Sequence, residues 1–294
     1  MFKSSSWRHL RILFSFYLLP VFIFSLAFVP DLNRGRFLLV FVALHLFLYP
    51  SSNGYNSYYD KDEESIGGLK EPPKVTEGLY YLSLVFLLVA LILGLMVSWA
   101  FSSMLLVYSL VSMAYSHPWI RIKKYPYSSW LIAGFFQGFF TFVMAYAALS
   151  GYGWESFLFP GIILPGFLTT LLLWSAYPLT QVYQHGEDSK RGDRTLSLKL
   201  GIQGTFTFSS VWFIVSGAAF AWYFLAEKNQ AWALWVFLAA MAPVFIFFLV
   251  WFSFIRKDPV KYASYSWAMW MNRISAIALN VFFFWYFLES IRIW

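Results

Sequence analysis

Long apolar blocks alternate along the chain with short polar breaks, and the blocks run about 20 residues, the length that crosses a bilayer as a helix. Nine spans are predicted, at Leu10–Val29, Phe37–Asn56, Leu79–Trp99, Ser103–Ile120, Trp130–Leu149, Phe157–Tyr183, Phe206–Leu225, Ala231–Phe254 and Tyr265–Leu288. The third and fourth nearly touch, which predicts a tight turn at Ser102-Ser103. The first follows a basic start, as a signal peptide does, but it is long and ends Phe28-Val29-Pro30-Asp31 without a small-x-small cleavage site. It therefore reads as a retained helix. The expectation is an all-α, multi-pass membrane protein, with residues 1–294 as a single transmembrane domain.

Polar positions inside the blocks are spaced as helical faces. His45, Tyr49, Asn53, Asn56, Asp60 and Glu64 step by four, four, three, four and four, which places all six on one side of a helix. Tyr177, Gln181, Gln184 and Asp188 step by four, three and four. Both stripes close a span and lead into an acidic loop, four spans apart. The spacing predicts two four-helix pseudo-repeats around a central cavity. Polar stripes in membrane helices are costly and face a bundle interior or a water-filled path. Duplicated halves with a site between them also describe many transporters.

Charge sets the orientation. Lys3, Arg8, Arg11, Lys61, Lys70, Lys74, Arg121, Lys123, Lys124, Lys190, Arg191, Arg194, Lys199, Arg256, Lys257 and Lys261, sixteen residues, fall on one side of a nine-span arrangement. Arg34, Arg36, Lys228 and Arg292 fall on the other, and Arg273 lies within the last span. The positive-inside rule then predicts a cytoplasmic N-terminus. It leaves the acids unexplained, since Asp and Glu contribute little to orientation, and most of them share the basic side. A net charge of +7 distributed over such loops is not a nucleic-acid signal.

Charged residues are 12% of the chain and apolar ones 60%, against about a quarter charged in soluble domains. There is no cysteine, which excludes disulfides, thiolate metal sites and a cysteine nucleophile. Carboxylate and amide oxygens remain, and they suit a hard cation such as Mg²⁺, which binds through one or two carboxylates plus substrate phosphates. The same loops carry Lys and Arg for phosphate. Together they fit a diphosphate whose leaving charge must be stabilised, on a substrate whose other end is lipid. Tyr49, Tyr59, Tyr115 and Tyr177 are the rings nearest this region, and aromatic faces stabilise an allylic cation. Arg273, beside Asn272, either snorkels to the interface or reaches diphosphate or acceptor. His45 and Gln137 read as structural.

These residues resemble the UbiA-type intramembrane prenyltransferases, which have nine helices and two aspartate-rich motifs, after the second and sixth. The first motif runs Asn-Asp-x-x-Asp-x-x-x-Asp in the family and Asn56-Ser-Tyr-Tyr-Asp60-Lys-Asp-Glu-Glu64 here. Lys70-Glu-Pro72-Pro73-Lys74 resembles the family's Asn-Arg-Pro-x-Pro stretch. Tyr115-Ser116-His117-Pro118, then Lys123, is similar to its Tyr-Ser-x-Pro and lysine. Asp188-Ser-Lys-Arg-Gly192-Asp-Arg-Thr195-Leu196 is similar to the end of the second motif, while Gln184 and Gln181 stand where acidic residues are usual. Glu187 would restore one charge.

The resemblance implies Mg²⁺-dependent transfer of an isoprenoid chain from a prenyl or polyprenyl diphosphate to a hydrophobic acceptor, an aromatic or quinone precursor. It implies Asp60, Asp188 and Tyr115 as catalytic residues, and Asp60, Glu64, Glu187 and Asp188 as metal ligands. Asn53, Asn56, Lys70, Lys74, Lys123, Gln181, Gln184, Lys190, Arg194 and Arg273 would bind substrate. A bacterial inner membrane is the expected location. The competing readings are a non-catalytic prenyl-lipid binding protein and a carrier of an anionic lipid. A plain anion carrier gains nothing from Asp60 and Glu64.

Overall fold

The structure, a computed structural model, describes residues 3–293, and the side chains of residues 292 and 293, Arg292 among them, lie outside the described residues. Every long apolar block is a helix, because in lipid each backbone N–H and C=O must be satisfied within its own segment. Among the described residues eight helices are long and apolar enough to cross a membrane, and a bent pair supplies a ninth span. They are α1 (Ser4–Tyr17 and Leu19–Leu26), α2 (Arg34–Asp60), α3 (Gly78–Val97), α4 (Trp99–Ser116), α5 (Pro126–Ser150), α6 (Pro160–Gln181), α7 (Leu196–Glu227), α8 (Ala231–Lys257) and α9 (Tyr265–Ile291).

The first span is not the straight helix the apolar run predicts. Arg11 adopts the left-handed conformation, at φ 48°, and the two halves bend by 44° at Leu18. Pro20 follows directly, and it lacks the N–H that would carry the ladder across the bend. The turn predicted at Ser102-Ser103 lies instead at Ser98, an extended residue whose hydroxyl accepts from Phe101 N–H at 3.0 Å and caps α4. Gly94 makes this hairpin close: a Cβ there would lie 3.0 Å from Ser102 Cα.

The helices form a ring. α1 packs on α2, α5 and α9; α2 packs on α4; α5 packs on α6, α6 on α7, and α8 on α7 and α9. α3 packs outside, against α2 and α4. None of its residues reaches the central cavity, whose walls come from the other eight helices. Two apolar cores hold the ring, one around Phe220, Phe224, Phe237 and Phe282, the other around Leu44, Met104, Tyr108 and Met144. α5 and α6 approach closely at Gly138, where Thr170 Oγ1 accepts from Phe139 N–H at 2.9 Å.

Two wide, π-type turns adjust which residues face the cavity. In α2 the turn spans Val42–Leu48, just before Pro50, and in α5 it spans Phe136–Phe140. A wide turn inserts a residue into the helical count, so positions before it rotate relative to positions after it. That is why His45 leaves the predicted stripe: it is buried and packed against Phe22, Phe41 and Tyr49.

Candidate active site

The cavity, about 390 Å³, joins a charged mouth to an apolar interior. Its mouth lies where three loops meet: α2–α3, α4–α5 and α6–α7. Deeper, it is lined by Tyr49, Tyr108, Phe136, Phe213, Phe237 and Met241.

Tyr49, Asn53, Asn56 and Asp60 line the cavity from α2, as the helical spacing predicts. Glu64 does not share their face. The helix ends at Asp60 because Lys61 turns left-handed, at φ 50°, and Glu64 instead pairs with Lys190 at 3.2 Å on the surface. The second stripe reaches the cavity by another route. Pro178 interrupts α6, a 3₁₀ turn covers Tyr177–Gln181, and a short helix, His185–Lys190, carries Asp188. Tyr177, Gln181, Gln184 and Asp188 all face the cavity although they are not one continuous helical face.

The mouth is a network of buried ion pairs. Asp60 lies 2.5 Å from Lys123 Nζ and 3.6 Å from Arg121, and accepts from Asn56 Nδ2 at 2.9 Å. The same Asn56 nitrogen donates to Ser116 Oγ at 2.7 Å. Asp193, 1% exposed, accepts both Arg121 Nε at 2.7 Å and Nη2 at 2.9 Å, and meets Lys123 Nζ at 3.1 Å. Arg191 crosses between loops: it holds Asp62 and reaches Asp188 at 3.1 Å and Glu187 at 3.4 Å. Thr195 Oγ1 donates to the other Asp188 oxygen at 3.1 Å. Further in, the hydroxyls of Tyr115 and Tyr177 are hydrogen-bonded to each other. Gln181 Oε1 accepts from Ser197 N–H at 3.3 Å.

Burial and charge divide these carboxyls. Burial pushes Asp188 up to about 6, against the pull of Lys123 and Arg191. Burial and the neighbouring Asp60 raise Asp62. Asp193 is also pushed up by burial, but the Arg121 fork and Lys123 outweigh that and hold it below the ordinary carboxylate range. A cleft with carboxyls shifted in opposite directions has the character of a functional site.

Other predicted residues lie elsewhere. Lys70, Lys74 and Arg194 are exposed and do not line the cavity. Lys190 is at the surface, between Glu64 and Glu187. Arg273 is exposed with its guanidinium 5.3 Å from the Trp270 ring, as a snorkelling arginine would be, while Asn272 beside it faces the cavity. Arg11 and Asp193 were not singled out by the sequence, and Arg121, Arg191 and Asp62 entered only among the charges of the loops, because loop charges first report orientation. Arg11 lines the cavity and donates to the carbonyls of Gly67 at 3.0 Å and Asn53 at 3.2 Å. Gln137 lines the wall as well, in the wide turn of α5.

The model of the UbiA prenyltransferase family matches residues 17–274. The chain belongs to this family. The UbiA fold is seen too in a UbiA homolog from Archaeoglobus fulgidus bound to DMAPP and Mg²⁺, 17% identical, TM-score 0.69, covering 99% of this chain and all of that one. The same homolog bound to GPP and Mg²⁺ is 18% identical, TM-score 0.67, over 98% of this chain and all of that one. A digeranylgeranylglyceryl phosphate synthase is 17% identical, TM-score 0.59, over 95% and 98%. No curated protein sequence matches the chain. Membership makes the protein an integral membrane member of a prenyltransferase family, and the resemblance read from its two acidic motifs holds.

Proposed function

We propose that this UbiA protein transfers an isoprenoid chain from a prenyl diphosphate to an aromatic or quinone-precursor acceptor, with Mg²⁺ as cofactor. The observation that carries it is one cavity with carboxylates and bases from three loops at its mouth and aromatic and aliphatic side chains beyond. Such a cavity matches a substrate with a diphosphate at one end and a hydrocarbon at the other.

The donor set fits Mg²⁺. Asp60, Asp62 and Asp188 carboxylates and Asn56 and Gln184 amides face the cavity. Among the described residues no three His, Asp or Glu side chains gather as a protein-only cage. Mg²⁺ needs only one or two carboxylates and completes its shell with waters and substrate phosphate. We assign Asp60, with Asn56 beside it, and Asp188 to the ion; Glu64 and Glu187, joined by Lys190 outside the cavity lining, are left to its surroundings. A bound Mg²⁺ would neutralise charge on the leaving diphosphate.

The protein's own groups supply the rest. Lys123, Arg191 and Arg11 stand at the mouth to hold phosphate oxygens. The C–O bond to diphosphate breaks, positive charge develops on the allylic carbon, and the faces of Tyr115, Tyr177, Tyr49 and Tyr108 stabilise it. The acceptor bonds to that carbon and loses a proton, for which the released diphosphate is the available base. The apolar interior keeps water from the cation. Gln181, Gln184 and Asn53 provide neutral donors and acceptors for the substrates. The sixteen-to-four split of basic residues supports a mouth on the cytoplasmic side, and a bacterial inner membrane is the location that goes with this reading. The test is purified protein in lipid nanodiscs with labelled geranyl diphosphate, Mg²⁺ and a panel of hydroxybenzoate, naphthoate and isoprenoid-alcohol acceptors. A labelled adduct with an aromatic acceptor supports the reading. An adduct confined to non-aromatic acceptors moves the acceptor class, and no adduct with intact donor binding favours a prenyl-lipid binding protein.

A further inference from the structure

Resting on the prenyl-transfer reading, a second conclusion concerns Arg191. Its guanidinium gathers carboxylates from both acidic loops: Asp62 after α2, and Asp188, Glu187 and Asp193 after α6, the last three at 3.1, 3.4 and 3.5 Å. It is 16% exposed in its side chain and lines the cavity mouth. A cation there does what a metal ion between the loops would do: it neutralises carboxylates from two walls and faces the diphosphate. Nη2 carries two hydrogens and bonds Asp188 through one, leaving the second for a phosphate oxygen.

The acids of the α6–α7 loop are correspondingly committed: Glu187 pairs with Lys190 and Arg191, and Asp193 with Arg121 and Lys123. Asp188 has Oδ1 on Arg191 and Oδ2 on Thr195. Gln181 is neutral, with its oxygen on Ser197 N–H. Gln184 faces the cavity but brings no charge. Gln attracts a divalent ion less than a carboxylate does, so a second ion has little to bind on this side.

We propose that Arg191 is a resident cation joining the two acidic loops, that it contacts the donor diphosphate, and that the site takes one divalent ion, with Arg191 filling the place of a second. Removing Arg191 takes away the cation in direct contact with Asp62 and Asp188 and leaves them the longer-range pull of Lys123; a divalent ion is the natural replacement.

The test counts ions rather than turnover. Mn²⁺, read by electron paramagnetic resonance, is titrated into the full chain in nanodiscs saturated with an unreactive bisphosphonate analogue of geranyl diphosphate. The expected counts are one Mn²⁺ per chain for the wild type, one for Arg191→Lys, and two for Arg191→Gln. Two ions in the wild type overturn the proposal, whatever happens to the variants. One ion in a folded Arg191→Gln protein that still binds the analogue overturns it also. If Arg191→Gln does not fold, the wild-type and Arg191→Lys counts decide. An analogue that never binds the wild type, with or without Mn²⁺, sinks the prenyl-transfer reading itself, and does so separably from the ion count.

Discussion

Replacing Asp193 with Asn tests whether the ion-pair network locks the three loops together. Asp193 is the most buried carboxylate of the mouth and takes a two-pronged contact from Arg121 at 2.7 and 2.9 Å, plus Lys123 at 3.1 Å. Asn keeps the shape and removes the charge. Removing one partner of a buried pair costs about 3–5 kcal/mol, because the other charge stays buried. Here Asp60 still lies 2.5 Å from Lys123 and 3.6 Å from Arg121, so part of the stranded charge keeps a partner. The expected loss is therefore at the low end, about 3 kcal/mol, or about 150-fold in the folding equilibrium. The assay is reversible unfolding in mixed micelles of rising SDS fraction, followed by tryptophan fluorescence. A double-mutant cycle with Arg121→Gln should return a coupling of about 1.5 kcal/mol or more, since the two side chains touch. A loss below about 1 kcal/mol, or strict additivity with Arg121→Gln, would refute the idea that these contacts hold the mouth together.

Gln184→Asp adds a carboxylate where the cavity has a neutral amide; the variant should remain active and need less Mg²⁺, and an inactive but folded protein would show that the amide donates a hydrogen bond to substrate. Burial holds Asp188 at about 6, so Mg²⁺ and donor affinity, measured by calorimetry from pH 7.5 to 5, should fall as pH drops through that value, and Asp188→Asn should flatten the profile. For stability the sign is opposite: the folded protein takes up the Asp188 proton more readily than the unfolded chain, so this group's contribution grows as pH falls from about 6 toward the ordinary carboxylate value. Asp193, held low, contributes stability that is lost as pH falls. Gly138→Ala places a Cβ 2.6 Å from the Thr170 backbone and should cost about 1–3 kcal/mol by pushing α5 from α6, visible in the same SDS titration.

Helical spacing made Tyr49, Asn53, Asn56 and Asp60 legible, because they follow the wide turn of α2 and precede the helix end, where the simple period holds. It failed for His45, which lies within the wide turn, and for Glu64, which lies beyond the helix end. Tyr177, Gln181, Gln184 and Asp188 reach the cavity through a broken helix, so the residues were read correctly and their local structure was not. Asp193 was hidden, and Arg121 and Arg191 were not separable from the other loop bases, because a charged loop residue near a membrane has an ordinary explanation in topology and solvation. Only the three-loop convergence shows that their charges are buried together. Lys70 and Lys74 resemble a family stretch, yet they stand in solvent in this structure.

In the proposed reaction this cavity holds a prenyl diphosphate through Mg²⁺ and the Asp60 loop and breaks its C–O bond. The most direct measurement is release of inorganic diphosphate from labelled geranyl diphosphate by purified protein with acceptor present, for wild type and Asp60→Asn, with Mg²⁺ and with EDTA. The wild type should release diphosphate with Mg²⁺, and there should be no release with EDTA or from a folded Asp60→Asn protein. Mg²⁺-independent release, or undiminished release by Asp60→Asn, would contradict that reaction.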